Sequence, residues 1–336
     1  MKMSRLLTLV LLSGFLLVGC GKPNEPESLK SQTTGGYSVV SKLATTAYAQ
    51  DIVIKDNLAY IAQGEGGLVI VDISDAENPQ TVSTTSYGVR GYCNKIEIKD
   101  TAVYLAAGSF GINVINVSDA DTPFVSVSNL GMKPAKDFHI MGNYLFTAIS
   151  EQGVGICEIS YPTQPDIRVE FKTSGYARSM ATTADSSKLL VACGEMGLSI
   201  YNITDFQEGY GEYPLAGWKD TPGYAEDVAV SGLESIAFLA CGTAGLQIVD
   251  FSDTANIFIV GSLDDGGYAK EIIYNNNLVY MTTETYGLRI IDVTLVSDPK
   301  LVGSVGSEFA LGVDMDDNYI YVADEDEGLI IIAKPD

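Results

Sequence analysis

The stretch Gly67-Leu68-Val69-Ile70-Val71-Asp72 decides the fold, because variants of it return along the chain at a nearly constant interval. Six further copies follow in steps of 41 to 48 residues and begin at Gly111, Gly153, Gly197, Gly245, Gly287 and Gly328. Self-similarity at a period of this size indicates a repeat architecture in which each copy is one structural unit.

Each repeat also contains three other runs with the composition of β-strands. Two of them precede the motif, as residues 48–54 and 57–62 do in the first repeat, and one follows it, as residues 81–85 do. A proline introduces this last run in four repeats, at Pro79, Pro123, Pro165 and Pro299. Because proline cannot donate to a sheet ladder, its position favours an outermost edge strand.

The motif is apolar on both faces, since Ile70 and Val71 are adjacent and point to opposite sides of a strand. A strand buried on both faces lies between two other layers. Four short strands in each period of about 42 residues are typical of propeller blades. The sequence therefore predicts an all-β fold, a seven-bladed β-propeller of four-stranded blades.

The two ends of the chain predict how the ring closes. The last repeat stops after its third strand, whereas residues 37–43 precede the first inner strand just as residues 299–305 precede the last one. We expect this N-terminal strand to complete the last blade and remove the free sheet edge of an open array. Residues 37–336 then form one domain.

The chain resembles the LVIVD-repeat proteins, because residues 68–72 spell the name of that repeat and the other copies are variants of it. The resemblance covers the chain from residue 37 onward. It implies a cell-surface propeller of a kind associated with bacteria and archaea, and it carries no common enzymatic assignment. The copy at Gly153 is degenerate, which makes its blade boundaries the hardest to place.

The N-terminus predicts export and lipid anchoring. Lys2 and Arg5 precede an apolar run over residues 6–18, as in a secretion signal. The run ends in Leu17-Val18-Gly19-Cys20, which resembles the lipobox of bacterial lipoproteins. We expect residues 1–19 to be a signal peptide, Cys20 to be lipidated and to hold the protein to the membrane, and residues 20–36 to form a polar tether. Gly21 after the cysteine favours the outer membrane of the cell envelope.

The charge of the chain excludes one class of partner. It carries 43 Asp and Glu residues against 20 Lys and Arg residues, a formal net charge of −23. Nucleic-acid binding requires clustered basic residues, so we expect no nucleic-acid partner.

Two sets of repeated polar residues have structural explanations. A polar residue closes six of the seven copies and is followed two positions later by Ser or Thr, as Asp72 is by Ser74, which predicts turn hydrogen bonds in place of a metal ring. Cys93, Cys157, Cys193 and Cys241 replace small or apolar residues of other repeats and are predicted to be buried fillers. A disulfide between Cys193 and Cys241 is the alternative.

Residues with obvious catalytic or metal-binding chemistry are sparse. His139 is the single histidine and lies within an inner strand, which argues against histidine-dependent triads and two-histidine metal sites. The acidic run at residues 324–327 could supply oxygen ligands to calcium, although a solvated loop is the favoured interpretation. We therefore predict no cofactor, with calcium as the open alternative.

The candidate site lies on one face of the propeller, where the loops between blades meet the loops that join second and third strands. We call it the loop face, and its predicted ligand-binding residues are Tyr48, Gln50, Tyr92, Asn94, Lys136, Tyr176, Arg178, Tyr224, Glu226, Tyr268 and Lys270. Aromatic rings and charges that converge on a concavity favour ligand binding. The alternatives are inter-blade packing by the tyrosines and a self-paired network of the charges.

Two functions follow from this surface. The first is a non-catalytic module or scaffold that binds a protein or glycan partner. The alternative is an envelope enzyme, a carbohydrate-active hydrolase or lyase that uses acidic residues at the channel mouth. The first is favoured, because no two carboxylates stand apart from the general acidity of the chain.

Overall fold

The computed structural model describes residues 33–204, 211–232, 235–264 and 266–335. The predicted signal peptide and Cys20 lie outside these residues. The described chain contains 28 strands, which are numbered in chain order and begin with β1 (Ser38–Leu43).

Blades one to three follow β1, and the chain builds each of them from its innermost to its outermost strand. Blade one contains β2 (Asp51–Lys55), β3 (Leu58–Ala62), β4 (Leu68–Asp72) and β5 (Gln80–Thr85). Blade two contains β6 (Lys95–Lys99), β7 (Ala102–Ala106), β8 (Ile112–Asn116) and β9 (Phe124–Leu130). Blade three contains β10 (Asp137–Met141), β11 (Tyr144–Ala148), β12 (Val154–Glu158) and β13 (Asp166–Phe171).

Blades four to six repeat this order. Blade four contains β14 (Ser179–Thr182), β15 (Lys188–Ala192), β16 (Leu198–Asn202) and β17 (Leu215–Lys219). Blade five contains β18 (Asp227–Val230), β19 (Ile236–Ala240), β20 (Leu246–Asp250) and β21 (Phe258–Leu263). Blade six contains β22 (Ala269–Asn275), β23 (Leu278–Thr283), β24 (Gly287–Asp292) and β25 (Lys300–Val305).

Blade seven joins the two ends of the chain. It contains β26 (Ala310–Met315), β27 (Tyr319–Asp324) and β28 (Gly328–Ala333), and β1 pairs antiparallel with β28 as its outermost strand. Every neighbouring pair of strands within a blade is antiparallel, and each innermost strand contacts the innermost strands of the two adjacent blades. The seven-bladed ring and its closure by the N-terminal strand are confirmed.

The third strand of each blade is buried on both faces, as the repeated motif predicts. Val69 and Val71 pack with Leu329 and Ile331 of blade seven. Leu68 and Ile70, on the other face of β4, pack in a cluster with blade two. Burial on both faces of β4 joins blade one to two neighbours, and the same arrangement around the ring makes one continuous core.

The glycine that opens each motif is required by the backbone. Gly67 has φ of 74°, in the left-handed region, and a Cβ built on it would lie 2.3 Å from the carbonyl oxygen of Thr85. Only glycine accepts both the dihedral angle and the close approach of β5. The other six motif glycines also have positive φ, which explains why this position recurs unchanged.

Residues on the N-terminal side of β1 already contact the ring of blades. Thr34, in the segment predicted as tether, donates its backbone N–H to the carbonyl oxygen of Ser304 in β25 at 2.9 Å. Tyr37 is 7% exposed and lies in the core cluster between blades six and seven, where its ring contacts Gly303. Lys42 forms an ion pair with Glu327 at the start of β28. The chain ends are thus held by packing and charge as well as by the β1–β28 ladder.

Replacement of Tyr37 tests this junction. We expect Tyr37→Ala to lower the free energy of unfolding by about 3 kcal/mol, because it removes a buried aromatic ring and leaves a cavity. The measurement is urea unfolding followed by circular dichroism. Tyr87→Ala is the matched control, since Tyr87 is 97% exposed and its loss should leave the transition unchanged. Equal midpoints for the two variants would show that Tyr37 does not hold the junction.

Candidate functional site

Equivalent positions of the seven innermost strands form two rings around the loop-face end of the central channel. The mouth ring, which lies at the channel entrance, consists of Gln50, Asn94, Lys136, Arg178, Glu226, Lys270 and Leu311. The second ring, one residue further along each strand, consists of Asp51, Lys95, Asp137, Ser179, Asp227, Glu271 and Gly312.

The mouth ring encloses a cavity of about 230 Å³. All six polar residues predicted for the channel mouth line it, and Leu311 supplies the seventh position. Glu284 and Glu325, from the loops between second and third strands of blades six and seven, also line it. The structure therefore brings together the mouth residues that the sequence could only place by analogy between repeats. Their binding of a ligand stays a prediction.

The five predicted tyrosines do not line this cavity. Tyr48 and Tyr92 line a separate cavity of about 560 Å³ nearby on the loop face. Tyr176 is 50% exposed. Tyr224 and Tyr268 lie under cations, with the Arg178 guanidinium 5.7 Å from the centroid of Tyr224 and Lys270 Nζ 5.4 Å from that of Tyr268.

The tyrosine positions also join neighbouring blades. The residue after Tyr92 is Cys93, and its backbone exchanges two hydrogen bonds of 3.0 Å with Gly64 of blade one. The ring of Tyr92 lies directly over Gly64, so close that a Cβ there would be 2.7 Å from the ring. Tyr224 and Tyr268 cover Gly194 and Gly242 in the same way. The inter-blade packing that the sequence left as an alternative is therefore present for these rings.

One half of the mouth ring is internally paired. Arg178 Nε donates to Glu226 Oε2 at 2.9 Å, and the hydroxyl of Tyr268 donates to Glu226 Oε1 at 2.7 Å. Lys270 Nζ lies 3.2 Å from Glu284 Oε1. The charges contributed by blades four to six thus neutralise one another, and their side chains are fixed by several contacts.

The other half, contributed by blades one to three, has spare polar atoms. Gln50 Nε2 and Asn94 Oδ1 are buried atoms without a hydrogen-bond partner among the described residues. Lys136 forms no ion pair with any residue of the described chain. Burial lowers the pKa of Lys136, and the nearby charge of Arg178 lowers it further. In this half of the mouth, Lys136 thus has no ion pair, although the charges of Glu151 and Glu226 act on it, and the lining residues Gln50 and Asn94 each hold one buried amide atom without a partner.

The carboxylates of the second ring hold adjacent blades together. The backbone N–H of Ile96 donates to Asp51 Oδ2 at 2.9 Å, and that of Ile272 donates to Asp227 Oδ2 at 2.8 Å. Innermost strands of neighbouring blades share no sheet ladder, so these carboxylates satisfy N–H groups that face the next blade. The sequence reasoning missed this role, although the acidic residue that opens β2, β10 and β18 was its signal.

Lys95 links opposite sides of this ring. It forms an ion pair with Glu271 of blade six, and its Nζ lies 3.6 Å from Asp51 Oδ1 of blade one. Although burial opposes its charge, Asp51 and Glu271 raise the pKa of Lys95 well above its ordinary value. Lys95 is therefore the buried counter-charge of the acidic channel wall.

Lys95 compensates the carboxylates of the channel wall only in part. Burial raises the pKa of Asp51 to about 6 and that of Asp137 to about 7. Glu97, further down β6, has its pKa raised to about 7 by burial, and the charges of Asp137 and Asp314 add to the effect. These groups take up protons near neutral pH only in the folded state.

The repeated polar and sulfur-containing residues behave as the sequence predicts. The backbone N–H of Ser74 donates to Asp72 Oδ1 at 2.8 Å, and the same turn bond recurs at Asn116, Asp250 and Asp292. Cys93, Cys157, Cys193 and Cys241 are buried and free, so Cys193 and Cys241 are not bridged. These residues stabilise turns and fill the core.

His139 and the acidic run at residues 324–327, the candidates for catalysis and calcium binding, form hydrogen bonds within the chain. His139 Nε2 shares a hydrogen bond of 2.8 Å with Thr182 Oγ1, and burial lowers its pKa to about 4. In the run at residues 324–327, Asp324 Oδ1 accepts the backbone N–H of Glu327 at 2.8 Å. Within the described ranges, no three His, Cys, Asp or Glu side chains are grouped so that they could hold a metal ion.

The comparison with protein families decides the relationship of the chain. A model described as the LVIVD repeat matches residues 47–85, 133–173, 222–265, 266–306 and 310–332, which together exceed half of the sequence. The chain belongs to the LVIVD-repeat family. The matches coincide with blades one, three, five, six and seven, and the degenerate copy at Gly153 is among them. The copies at Gly111 and Gly197, which the model does not match, form blades of the same architecture.

Solved structures show the same fold at low sequence identity. The WD40 β-propeller domain of Doa1 has a TM-score of 0.68 and 11% identity, over 89% of this chain and 97% of that one. The computationally designed Ika8 protein has a TM-score of 0.60 and 11% identity, over 85% of this chain and 83% of that one. At this identity the likeness concerns the fold alone. No curated protein shows significant similarity to the chain.

The propeller architecture and the LVIVD repeats fit a binding or scaffolding module. Among the residues that the structure describes, no helix has the length and apolar character needed to cross a membrane.

The raised pKa of Glu97 predicts a pH dependence of stability. Its folded value of about 7 lies above the ordinary value of about 4.3, so the folded state holds a proton that the unfolded state has lost. This contribution to stability is complete below the unfolded value and disappears as the pH rises through about 7. Between about pH 5 and about pH 8 the free energy of unfolding of the wild type should therefore fall as Glu97 loses its proton. Glu97→Gln lacks this titration, so its free energy of unfolding should fall by roughly 2 kcal/mol less over the same interval.

The experiment compares urea unfolding of the wild type and Glu97→Gln at both pH values. Glu77→Gln is the control, because Glu77 is an exposed carboxylate on the outside of blade one. The pH profile of this control should follow the wild type. A Glu97→Gln profile that also follows the wild type would contradict the assignment.

Proposed function

We propose that this LVIVD-repeat protein is a non-catalytic binding module that holds a protein or glycan partner at the mouth of its channel on the loop face. The observation that carries the proposal is the division of the mouth ring. Blades four to six contribute paired charges, whereas Gln50, Asn94 and Lys136 of blades one to three line the same cavity with side-chain groups that lack a hydrogen-bond or ion-pair partner among the described residues.

Unpaired polar groups are costly unless a partner satisfies them. A buried donor or acceptor without a hydrogen bond destabilises a protein by about 1–3 kcal/mol. A ligand that supplies an acceptor to Gln50 Nε2, a donor to Asn94 Oδ1 and a negative group to Lys136 would recover that free energy on binding. The paired half supports such a ligand as a rigid wall, since Glu226 is held from two directions.

The same contacts favour binding over catalysis. Glu226 and Glu271 are the lining carboxylates that an acid–base mechanism at the mouth would use first. Glu226 is bound to Arg178 and Tyr268, and Glu271 is bound to Lys95. Both carboxylates are therefore already engaged by side chains of the chain itself, although burial raises the pKa of Glu271 well above its ordinary value.

We further propose that the module is displayed in the cell envelope through lipidated Cys20, with the outer membrane as its site. The support is the apolar run over residues 6–18 followed by Leu17-Val18-Gly19-Cys20. A lipid anchor provides membrane affinity without a spanning segment. The polar residues after Cys20 would separate the propeller from the lipid surface.

Substitutions at the open half of the mouth test the binding site. Asn94→Ala and Lys136→Ala should each reduce capture of a glycan-array ligand, or of an envelope protein, by about tenfold, because a hydrogen bond to a charged or buried group is lost. Lys300→Ala is the control, since Lys300 lies on the outermost strand β25 and pairs with Asp298 at the surface. Capture that is unchanged by both mouth substitutions would contradict a ligand site at the mouth.

Replacement of Cys20 tests the anchor. In a bacterium that processes lipoproteins, the wild type should incorporate labelled palmitate and sediment with membranes, whereas Cys20→Ser should do neither, because serine offers no thiol for the lipid. Ser28→Ala, beyond the proposed cleavage site, should behave as the wild type. Palmitate incorporation by Cys20→Ser would exclude Cys20 as the lipidated residue.

A further inference from the structure

A second loop-face cavity lies where blade seven meets blades one and two. Its volume is about 560 Å³, and we call it the tyrosine cavity. Tyr48 and Tyr92, which line it, are 56% and 41% exposed. The complete lining is Thr45, Thr46, Ala47, Tyr48, Glu65, Tyr92, Glu325 and Asp326.

Other tyrosines on the same face already bind cations from within the chain. Tyr224 carries Arg178 at 5.7 Å and Tyr268 carries Lys270 at 5.4 Å, measured to the ring centroids. A third ring, Tyr286 in the loop between β23 and β24, carries Arg289 at 5.0 Å. Tyr286 and Arg289 are buried, so two of these three contacts lie on the accessible part of the loop face, and all three separations are in the range of cation–π attraction.

Tyr48 and Tyr92 have no such partner among the described residues. Tyr268 is covered by the mouth residue of its own blade, and Tyr224 by that of the preceding blade. The mouth residues in these two positions relative to Tyr48 and Tyr92 are uncharged, namely Leu311, Gln50 and Asn94. Tyr48 and Tyr92 occupy the same repeat position as Tyr224 and Tyr268. The aromatic rings of Tyr48 and Tyr92 thus occupy the cation-binding position, remain accessible, and have no Lys or Arg of the described chain over them.

The charge of the tyrosine cavity is also uncompensated. Its three charged residues are Glu65, Glu325 and Asp326, and no Lys, Arg or His lines it. Burial raises the pKa of Glu325, and the neighbouring charges of Asp326 and Glu284 raise it further. Burial also raises the pKa of Tyr92, with a further contribution from the charge of Glu325. Lys270, outside the lining of this cavity, lowers the pKa of Glu325 in part, but the lining itself contains no positive charge.

We propose that the tyrosine cavity binds an organic cation, the ammonium or guanidinium group of a partner, between the rings of Tyr48 and Tyr92 and the carboxylates of Glu65 and Glu325. The rings attract the face of a weakly hydrated cation, and the carboxylates supply its counter-charge. A Lys or Arg side chain of a protein partner and a free or lipid-borne quaternary ammonium group share this chemistry.

The inference goes beyond the proposed function, because Tyr48, Tyr92 and Glu65 do not line the mouth cavity, and only Glu325 is shared by the two cavities. Substitution of Lys136 tests the mouth and should leave cation binding unchanged. Substitution of Tyr48 tests the tyrosine cavity. The two substitutions therefore distinguish failure of the ligand site at the mouth from failure of the cation site in the tyrosine cavity.

The direct test compares two probes of the same shape with different charge. Choline and its uncharged analogue 3,3-dimethylbutan-1-ol are titrated into the full-length protein, and binding is followed by NMR of tyrosine rings labelled with carbon-13. We expect choline to bind at least about fivefold more tightly than the uncharged analogue, as a cation–π contact requires. Equal affinity would overturn the proposal, since it would show simple apolar burial.

Variants assign the binding to this cavity. Tyr48→Leu and Glu65→Gln, at residues that line the tyrosine cavity and not the mouth cavity, should each weaken choline binding by about fivefold or more. Tyr92→Phe keeps the ring over Gly64 and should retain binding, which separates loss of a π face from loss of the blade contact. Tyr176→Leu is the matched control, because Tyr176 has the same repeat position and is 50% exposed. An equal loss in Tyr176→Leu would overturn the assignment.

Two further probes distinguish the sources of the cation. Tighter binding of the blocked amino acids N-acetyl-lysine methylamide and N-acetyl-arginine methylamide than of choline would support the proposal with a protein side chain as the ligand. Tighter binding of choline would support it with a quaternary ammonium group. Binding of Ca²⁺ in place of all three organic cations would overturn the proposal, because it would show a site for a hard cation built from the carboxylates alone.

Discussion

The ladder between β1 and β28 is the contact on which the rest of the molecule depends. A blade in this fold is apolar on both faces, so it is stable only when a neighbour covers each face. An open row of seven blades would leave one apolar face bare at each end and one sheet without its outermost strand. Pairing of residues 38–43 with residues 329–333 joins the chain ends in one sheet, and packing of Tyr37 between blades six and seven reinforces that junction.

Closure of the ring brings equivalent residues of all blades to one axis, and this gives the channel its chemistry. Because the repeat fixes the position of each side chain but not its identity, the mouth ring combines amide, basic, acidic and apolar residues around one cavity. Its pattern is uneven, with Arg178 and Glu226 paired on one side and Lys136 unpaired on the other. A ring with such an asymmetry can select the orientation of a ligand, which a uniform ring cannot do.

Features repeated in every blade could be predicted from the sequence. The order of strands in a blade follows from a pattern such as Gly67 to Asp72, because backbone geometry and burial on both faces are the same in each copy. The closing strand follows from the absence of a fourth strand after the last copy. Contacts across the channel could not be predicted in this way. The pair Arg178 with Glu226, the link from Lys95 to Glu271, and the separation of Tyr48 from the mouth depend on lateral distances between blades, which no residue spacing within one repeat contains.

Amide hydrogen exchange provides the most direct test of the closed ring. The strand pairing predicts that amides of β1 bonded to β28 are protected to the same degree as amides of β5 bonded to β4, since both are outermost strands of complete blades. The measurement is native-state exchange by NMR or mass spectrometry, with residues 38–43 and 80–85 compared in one sample. Equal protection is the result that ring closure predicts. Rapid exchange of residues 38–43 beside slow exchange of residues 80–85 would contradict it.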